Sequence, residues 1–208
     1  MTFYVTSYAI RTPYLPSSIT NEWELLVVAQ HHRLPTRFLD WTYSPLVAAH
    51  FATLERSRTP RVVWKLDWQV IHKHFGIKER ALLLEELEDE LRKRKIGSPE
   101  ELFSRDTLRD QAFMTVLDPP SLDARVVVQS ATLILCSEKG IALNKFLIQH
   151  GLQDTARKYI IPEDKVDQIR DQLDLCSMDE RRLFPDLDGV AVEMSRYYSY
   201  SPDDDSSF

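Results

Sequence analysis

The densest run of chemically useful side chains lies between Ala29 and Ala52, in AQHHRLPTRFLDWTYSPLVAAHFA. It places His31, His32, Arg37, Asp40, Thr42 and Ser44 in the gap between two apolar stretches. His31 and His32 fall in the last turn of a predicted helix, where the dipole favours imidazolium. Thr42 and Ser44 stand just before a second predicted helix, whose free N–H groups can seat an anion. Read this way the stretch is a ligand pocket, with Asp40 as its reactive carboxylate. The same residues also read as a polar corner. Asp40 then pairs with Arg37 or caps a turn, Thr42 and Ser44 cap helices, and His32 is a hydrogen-bonded core histidine. Residue types alone leave both readings open.

A second candidate is ARVVVQSATLIL, which reads as one bent strand or two strands. Arg125 and Gln129 are four apart, so a regular strand puts them on one face. Gln129 interrupts an apolar run. If buried it needs partners, either a ligand or a backbone edge.

The elements that must position these residues show in the pattern around them. Asn21 stands three residues before Glu24, a capping box opening a helix that Pro35 ends. Trp23, Leu26, Val27 and Gln30 share one face of that helix. TRFLDWT alternates as a strand. Ser44-Pro45 opens the next helix, with Leu46, Ala49 and either His50 or Ala52 at helical spacing. RVVWKLDW reads as a strand. Lys78–Lys95 is a charged helix with a seam of Leu84, Leu87 and Leu91 and acid-first pairs Glu88–Arg92, Asp89–Lys93 and Glu90–Arg94. It reads as a solvated helix packed by that one seam, with docking of a protein partner as the alternative. Ser98 and Ser177 open two further capping boxes. ALNKFLIQHG is a helix stopped by Gly151, RKYIIP is a strand, and EDKVDQIRDQLDLC turns Val166, Ile169 and Leu173 inward. Residues 1–18 read as an extended lead-in, and 199–208 as a disordered acidic tail. Helices and strands mix without a βαβ beat. The expectation is one α+β domain over residues 1–198, with a helical insertion at about 70–115.

Composition narrows the chemistry. The 208 residues carry a net charge of -6, and no basic stripe is interleaved with aromatics, so nucleic acid is not an expected partner. There are 5 glycines and no GxGxxG or GxxxxGK. No HExxH occurs, no four-ligand metal set assembles, and His72 and His74 are expected at the surface or a sheet edge. Cys136 and Cys176 form no CxxC and read as small buried hydrophobes in a reducing compartment. No stretch has the length and apolarity of a membrane span, and no basic segment followed by an apolar run opens the chain. A cytoplasmic setting without membrane contact is expected.

At these residues the chain resembles the FRG domain family. The blocks that carry the likeness are WELLVVAQHHRLPTRFLDWTYSPLVAAHFAT, DPPSLDARVVVQSATLIL, RKYIIP and DERRLFPDLDGVA, in family order from about Trp23 to Ala191. Two features depart from the family. Arg33 stands where the family usually has glycine. No Arg-Gly dipeptide occurs, so the naming motif is either lost or lies outside the chain. By analogy, the order of blocks is similar to that of ADP-ribosyltransferase-like folds. That likeness implies NAD or a related nucleotide as substrate. Thr42 and Ser44 then line the nicotinamide-ribose pocket with His31, His32, Arg37 and Arg125 as further ligand contacts. Gln129 stands where a glutamate would stabilise an oxocarbenium-like centre, a charge that glutamine lacks. The alternatives are a non-catalytic ligand- or protein-binding module, or an inactive, truncated paralogue.

Overall fold

The computed structural model describes residues 19, 21–31, 34, 36–54, 59–104, 112–120 and 124–198. The expected lead-in and acidic tail lie outside the described residues. The fold is α+β, with strands β1 (Phe38–Thr42), β2 (Arg61–Leu66), β3 (Met114–Leu117), β4 (Ala131–Cys136) and β5 (Ala156–Ile161). The helices are α1 (Glu22–His31), α2 (Pro45–Thr53), α3 (Trp68–His74), α4 (Leu84–Lys93), α5 (Pro99–Ser104), α6 (Ala124–Val128), α7 (Leu143–Gln149), α8 (Val166–Leu175), α9 (Glu180–Leu183) and α10 (Leu187–Tyr198). One sheet has the order β1-β4-β3, and a second pairs β2 with β5. The chain divides into two compact units. The first is Met1–Trp41, Trp64–Leu122 and Thr132–Lys158; the second is Thr42–Val63, Asp123–Ala131 and Tyr159–Phe208.

The first unit is built on the antiparallel pair β3–β4, in register from Met114 opposite Cys136 to Leu117 opposite Leu133. Both faces of this pair are covered. Leu117, Leu133 and Leu135 cluster with Trp23, Leu26 and Val27 of α1 and Leu84, Leu87 and Leu91 of α4. Met114, Val116 and Ile134 cluster with Ile71 of α3 and Phe146 and Leu147 of α7. That explains the apolar run Leu133-Ile134-Leu135 of β4, since a strand covered on both sides has no polar face. The charged helix packs by its leucine seam, as expected. Beside the seam, Glu88–Arg92 lie at 3.6 Å and the buried Glu90 pairs with Arg94 at 2.9 Å, as the acid-first spacing predicts, but Lys93 bonds Glu90 instead of Asp89. Asn21 caps α1 through its Oδ1 and donates its amide to Glu88.

His72, expected at the surface or a sheet edge, lies at the edge of β3 but inside the core. It is fully buried. The Val116 N–H, which can only donate, lies 2.8 Å from its Nε2, so Nε2 is the acceptor. Nδ1 then carries the proton and donates to the Lys78 carbonyl at 2.7 Å. His74, two residues on, is exposed. Helical phase separates them, because α3 is a helix and not the strand that would have aligned the pair.

The second unit packs α2 on α8, α9 on α10 and α6 on α9. Ser44 caps α2 and Pro45 occupies its first turn, as expected. The inward face of α2 is Val47, His50 and Thr53, while Leu46 is exposed. The expected capping box at Ser177 is not formed. Ser177 adopts a left-handed φ of 56° and ends α8, with Met178 N–H donating to Leu173 O at 2.8 Å. Asp179 caps α9 instead, and Glu180 is drawn into a buried pair with Arg170 at 2.5 Å. His50 Nδ1 lies 2.9 Å from the Met178 carbonyl and 3.2 Å from Arg170. At Gly189, in the first turn of α10, a Cβ would sit 2.0 Å from the Phe184 carbonyl and 2.8 Å from that of Glu180. Glycine is there for close approach of helix to helix.

Two stability outcomes follow. Burial holds His72 below its ordinary value, and burial followed by the Arg170 charge does the same to His50. Both are neutral when folded, so the unfolded chain binds protons that the native state refuses. Stability is therefore full above the unfolded value of about 6.5 and falls as pH drops below it. Denaturant titrations across that range should show the slope, and His72→Gln should flatten part of it; a slope unchanged by this variant contradicts the assignment. Gly189→Ala should cost about 1–3 kcal/mol despite the better helix propensity of alanine, measured by thermal unfolding.

Candidate functional site

The polar block is best described unit by unit. In the first unit, Gln30 near the end of α1 donates from Nε2 to Asp40 Oδ2 at 2.7 Å. The Thr36 hydroxyl donates to Gln30 Oε1 at 2.5 Å, and the Phe38 N–H donates to Thr36 Oγ1 at 3.1 Å. Partial burial raises the Asp40 carboxyl above its ordinary value, against the Gln30 hydrogen bond and the attraction of His31. The residue nevertheless keeps an exposed side. Asp40 does not pair with Arg37. Arg37 donates to the carbonyls of Cys136 at 3.3 Å and Ser137 at 3.4 Å, clamping the end of β4. His31 is half-buried at the last position of α1. His32 and Arg33 lie outside the described residues.

In the second unit the block is a joint. Thr42 Oγ1 donates to the Gln129 carbonyl at 2.7 Å and accepts from the Ser44 N–H at 3.0 Å. Tyr43 N–H donates to Ser130 O at 3.0 Å. Ser44 Oγ accepts from Val47 N–H, which makes it a cap. Thr42 and Tyr43 thus meet the backbone of the second candidate segment, through its main-chain carbonyls, while Ser44 bonds to Thr42 and Val47. The side chain of Gln129 is engaged elsewhere, where its Nε2 donates to Leu183 O at 2.8 Å. Arg125 is paired with Asp186, with Nε at 3.0 Å, and lies over the Phe184 ring at 5.6 Å.

The strand expected across this segment is corrected. Ala124–Val128 is a helix, Gln129 N–H donates to Arg125 O at 2.9 Å, and Ser130 at φ 47° breaks the helix before β4 begins. The β-branched run argued for strand, and the packing of α6 on α9 overrides that propensity. Arg125 and Gln129 are one helical turn apart, with separate partners.

Other candidates resolve plainly. Burial pushes the Cys136 thiol up to about 11, which suits a packed thiol and not a nucleophile. Cys176 is exposed, contrary to the buried position expected of it, because α8 turns Leu173 inward and Cys176 caps its end beyond that face. No metal-holding cluster of three or more ligands occurs among the described residues, and no helix among them is long and apolar enough to cross a membrane. A groove of about 440 Å³ runs along α4, lined by Lys78, Leu82, Glu86, Glu90, Arg92 and Lys93 among others. Two contributors to the Asp40 group are missing from the sequence reading, Gln30 and Thr36. Gln30 had a signal: an amide on the apolar face of α1 needs a partner.

The geometry defines an α+β protein with an exposed carboxylate group in one unit and a hydrogen-bonded joint in the other. Residues 5–61 match the family model of the FRG domain. The resemblance therefore stands for this part of the chain, which holds α1, β1, α2 and the whole polar block. The later blocks, from Asp118 onward, lie outside the matched residues. No curated protein and no solved structure gives a significant match.

If Gln129 is a joint residue, Gln129→Glu replaces a donor facing Leu183 O with an acceptor. It should destabilise the protein by about 1–3 kcal/mol in thermal or denaturant unfolding. Unchanged stability together with a gain of nicotinamide release from NAD would instead make position 129 a reaction centre.

Proposed function

We propose that this FRG-domain chain is a ligand-binding module for a small polar molecule of the nucleotide class, with Asp40, Gln30 and His31 as its recognition face. One observation carries the reading. Among the described candidate side chains, Arg37, Thr42, Arg125 and Gln129 bond to carbonyls or to Asp186 and Ser44 caps a helix, while Asp40 keeps an exposed carboxylate beside an amide. A carboxylate acceptor with an adjacent imidazole suits a ribose diol such as that of NAD. An ADP-ribosyl transfer reaction is the less supported reading, because it asks Gln129 to leave Leu183 and to stabilise a cationic centre without charge. A cytoplasmic setting fits the two unpaired cysteines. Docking of a protein partner on α4 has the groove beside Lys78 in its favour.

Calorimetric titration with NAD, ADP-ribose and AMP tests the proposal. Binding of at least one is expected, with no nicotinamide release from NAD. Asp40→Asn should weaken that binding about tenfold or more, the loss of one charge-assisted hydrogen bond. Absence of binding by all three, or binding unaffected by Asp40→Asn, defeats the reading.

A further inference from the structure

We infer that Thr36 and Gln30 are positioning residues that reserve one oxygen of Asp40, Oδ1, for exchange of a proton or hydrogen bond with a ligand. The directions of three hydrogen bonds carry this. A backbone N–H can only donate, so the Phe38 N–H at 3.1 Å makes Thr36 Oγ1 an acceptor. An ionised carboxylate only accepts, so Gln30 turns Nε2–H to Asp40 and Oε1 to Thr36, and the single hydroxyl proton of Thr36 goes to Gln30 Oε1 at 2.5 Å. With its carbonyl oxygen held there, the Gln30 amide presents Nε2–H to Asp40 Oδ2 at 2.7 Å. All three donors point the same way, out of the strand backbone toward the carboxylate. Oδ2 is thereby an acceptor in both protonation states of Asp40. A proton taken up by this group sits on Oδ1, and in the ionised form Oδ1 is the oxygen offered outward. Among the described residues, Asp40 has no hydrogen-bond partner besides Gln30.

The chain of donors also explains an arrangement that looks uneconomic. Gln30 belongs to α1 and Asp40 to β1, ten residues apart. An amide on the apolar face of α1 is unfavourable unless its polar atoms are used, and here both ends are used, one by Thr36 and one by Asp40. Thr36 lies two residues before Phe38, whose ring is buried in the first unit's core. The carboxylate is in this way tied to the rigid strand through side chains and not only through its own backbone.

The inference deepens the proposed ligand reading but is tested without a ligand. Carbon-detected NMR titration of the Asp40 carboxyl is recorded for the intact chain and for Thr36→Val, Thr36→Ser and Gln30→Leu. Thr36→Val keeps the shape of threonine and removes the hydroxyl, while Thr36→Ser keeps it. Removing a hydrogen bond that favours the anion should raise the Asp40 midpoint by about half a pH unit in Thr36→Val and by more in Gln30→Leu, with Thr36→Ser near the parent. A midpoint unmoved in Thr36→Val and Gln30→Leu, in proteins whose thermal unfolding shows them folded, overturns the inference. So does a shift of equal size in Thr36→Ser, which would assign the effect to packing. Repeating the AMP and ADP-ribose titrations on the same variants separates the two ideas. A moved midpoint without any binding leaves the positioning role standing and removes the ligand reading.

Discussion

The neutral imidazole of His72 is the contact on which the first unit depends. β3 has one neighbour, β4, in the sheet order β1-β4-β3. Its other edge would leave backbone groups unmatched in the core, a cost of about 1–3 kcal/mol for each. No further strand among the described residues covers that edge. Leu82 covers part of it, donating to Val116 O and accepting from Asp118 N–H at 2.9 Å each. His72 Nε2 takes the Val116 N–H, and its Nδ1–H closes on Lys78 O. One side chain thus does the work of a strand residue and fixes the turn after α3. It can do so only while uncharged, since imidazolium has no acceptor. The Ile71 beside it belongs to the same α3 turn and packs in the apolar cluster on that face. Polar closure and apolar cover therefore come from adjacent residues of one short helix.

The second unit solves a similar problem with charge. α8 repeats Val166 and Leu173 inward, and Arg170 lies on the same buried face. An isolated guanidinium there would be costly, and its partner Glu180 is 1% exposed. Arg196 approaches the second oxygen of Glu180 at 3.3 Å and also pairs with Asp174. The cluster joins α8, α9 and α10. Its members constrain one another: His50 faces Arg170, so a proton on His50 would oppose a buried cation that Glu180 is already needed to balance. Removing one partner of such a network leaves the other as an uncompensated buried charge, so its members hold or fail together.

These contacts mark the limit of what the sequence displays. Local devices were legible. Asn21, Ser44 and Ser98 cap the helices they appear to cap, Pro45 and Gly151 sit where their backbone preferences serve, and the leucine seam of α4 is buried. Each depends on residues within one or two turns of chain. What failed were assignments set by distant partners. Ser177 heads a sequence that matches a capping box, but Glu180 is claimed by Arg170, and the helix start moves to Asp179. ARVVV has strand propensity, but its side chains are spent in a helix whose Gln129 meets Leu183, 54 residues on. His72 carries no local sign of burial, because its acceptor and donor roles are set 44 and 6 residues away.

The same distinction bears on the polar block. Its types and spacing announced chemistry, and its family match covers all of it. Yet hydroxyls before a helix serve capping as readily as anion binding, and the two uses differ only in what the oxygen touches. Ser44 Oγ accepts from Val47 N–H and Thr42 gives its proton to a carbonyl, so both hydroxyls serve the fold. Asp40 differs because its carboxylate has more acceptor capacity than its neighbours consume. A carboxylate offers about four lone-pair directions, and one Gln30 N–H fills a single one of them. The proposed ligand role of Asp40 rests on the amide and hydroxyl behind it, more than on the exposed carboxylate itself.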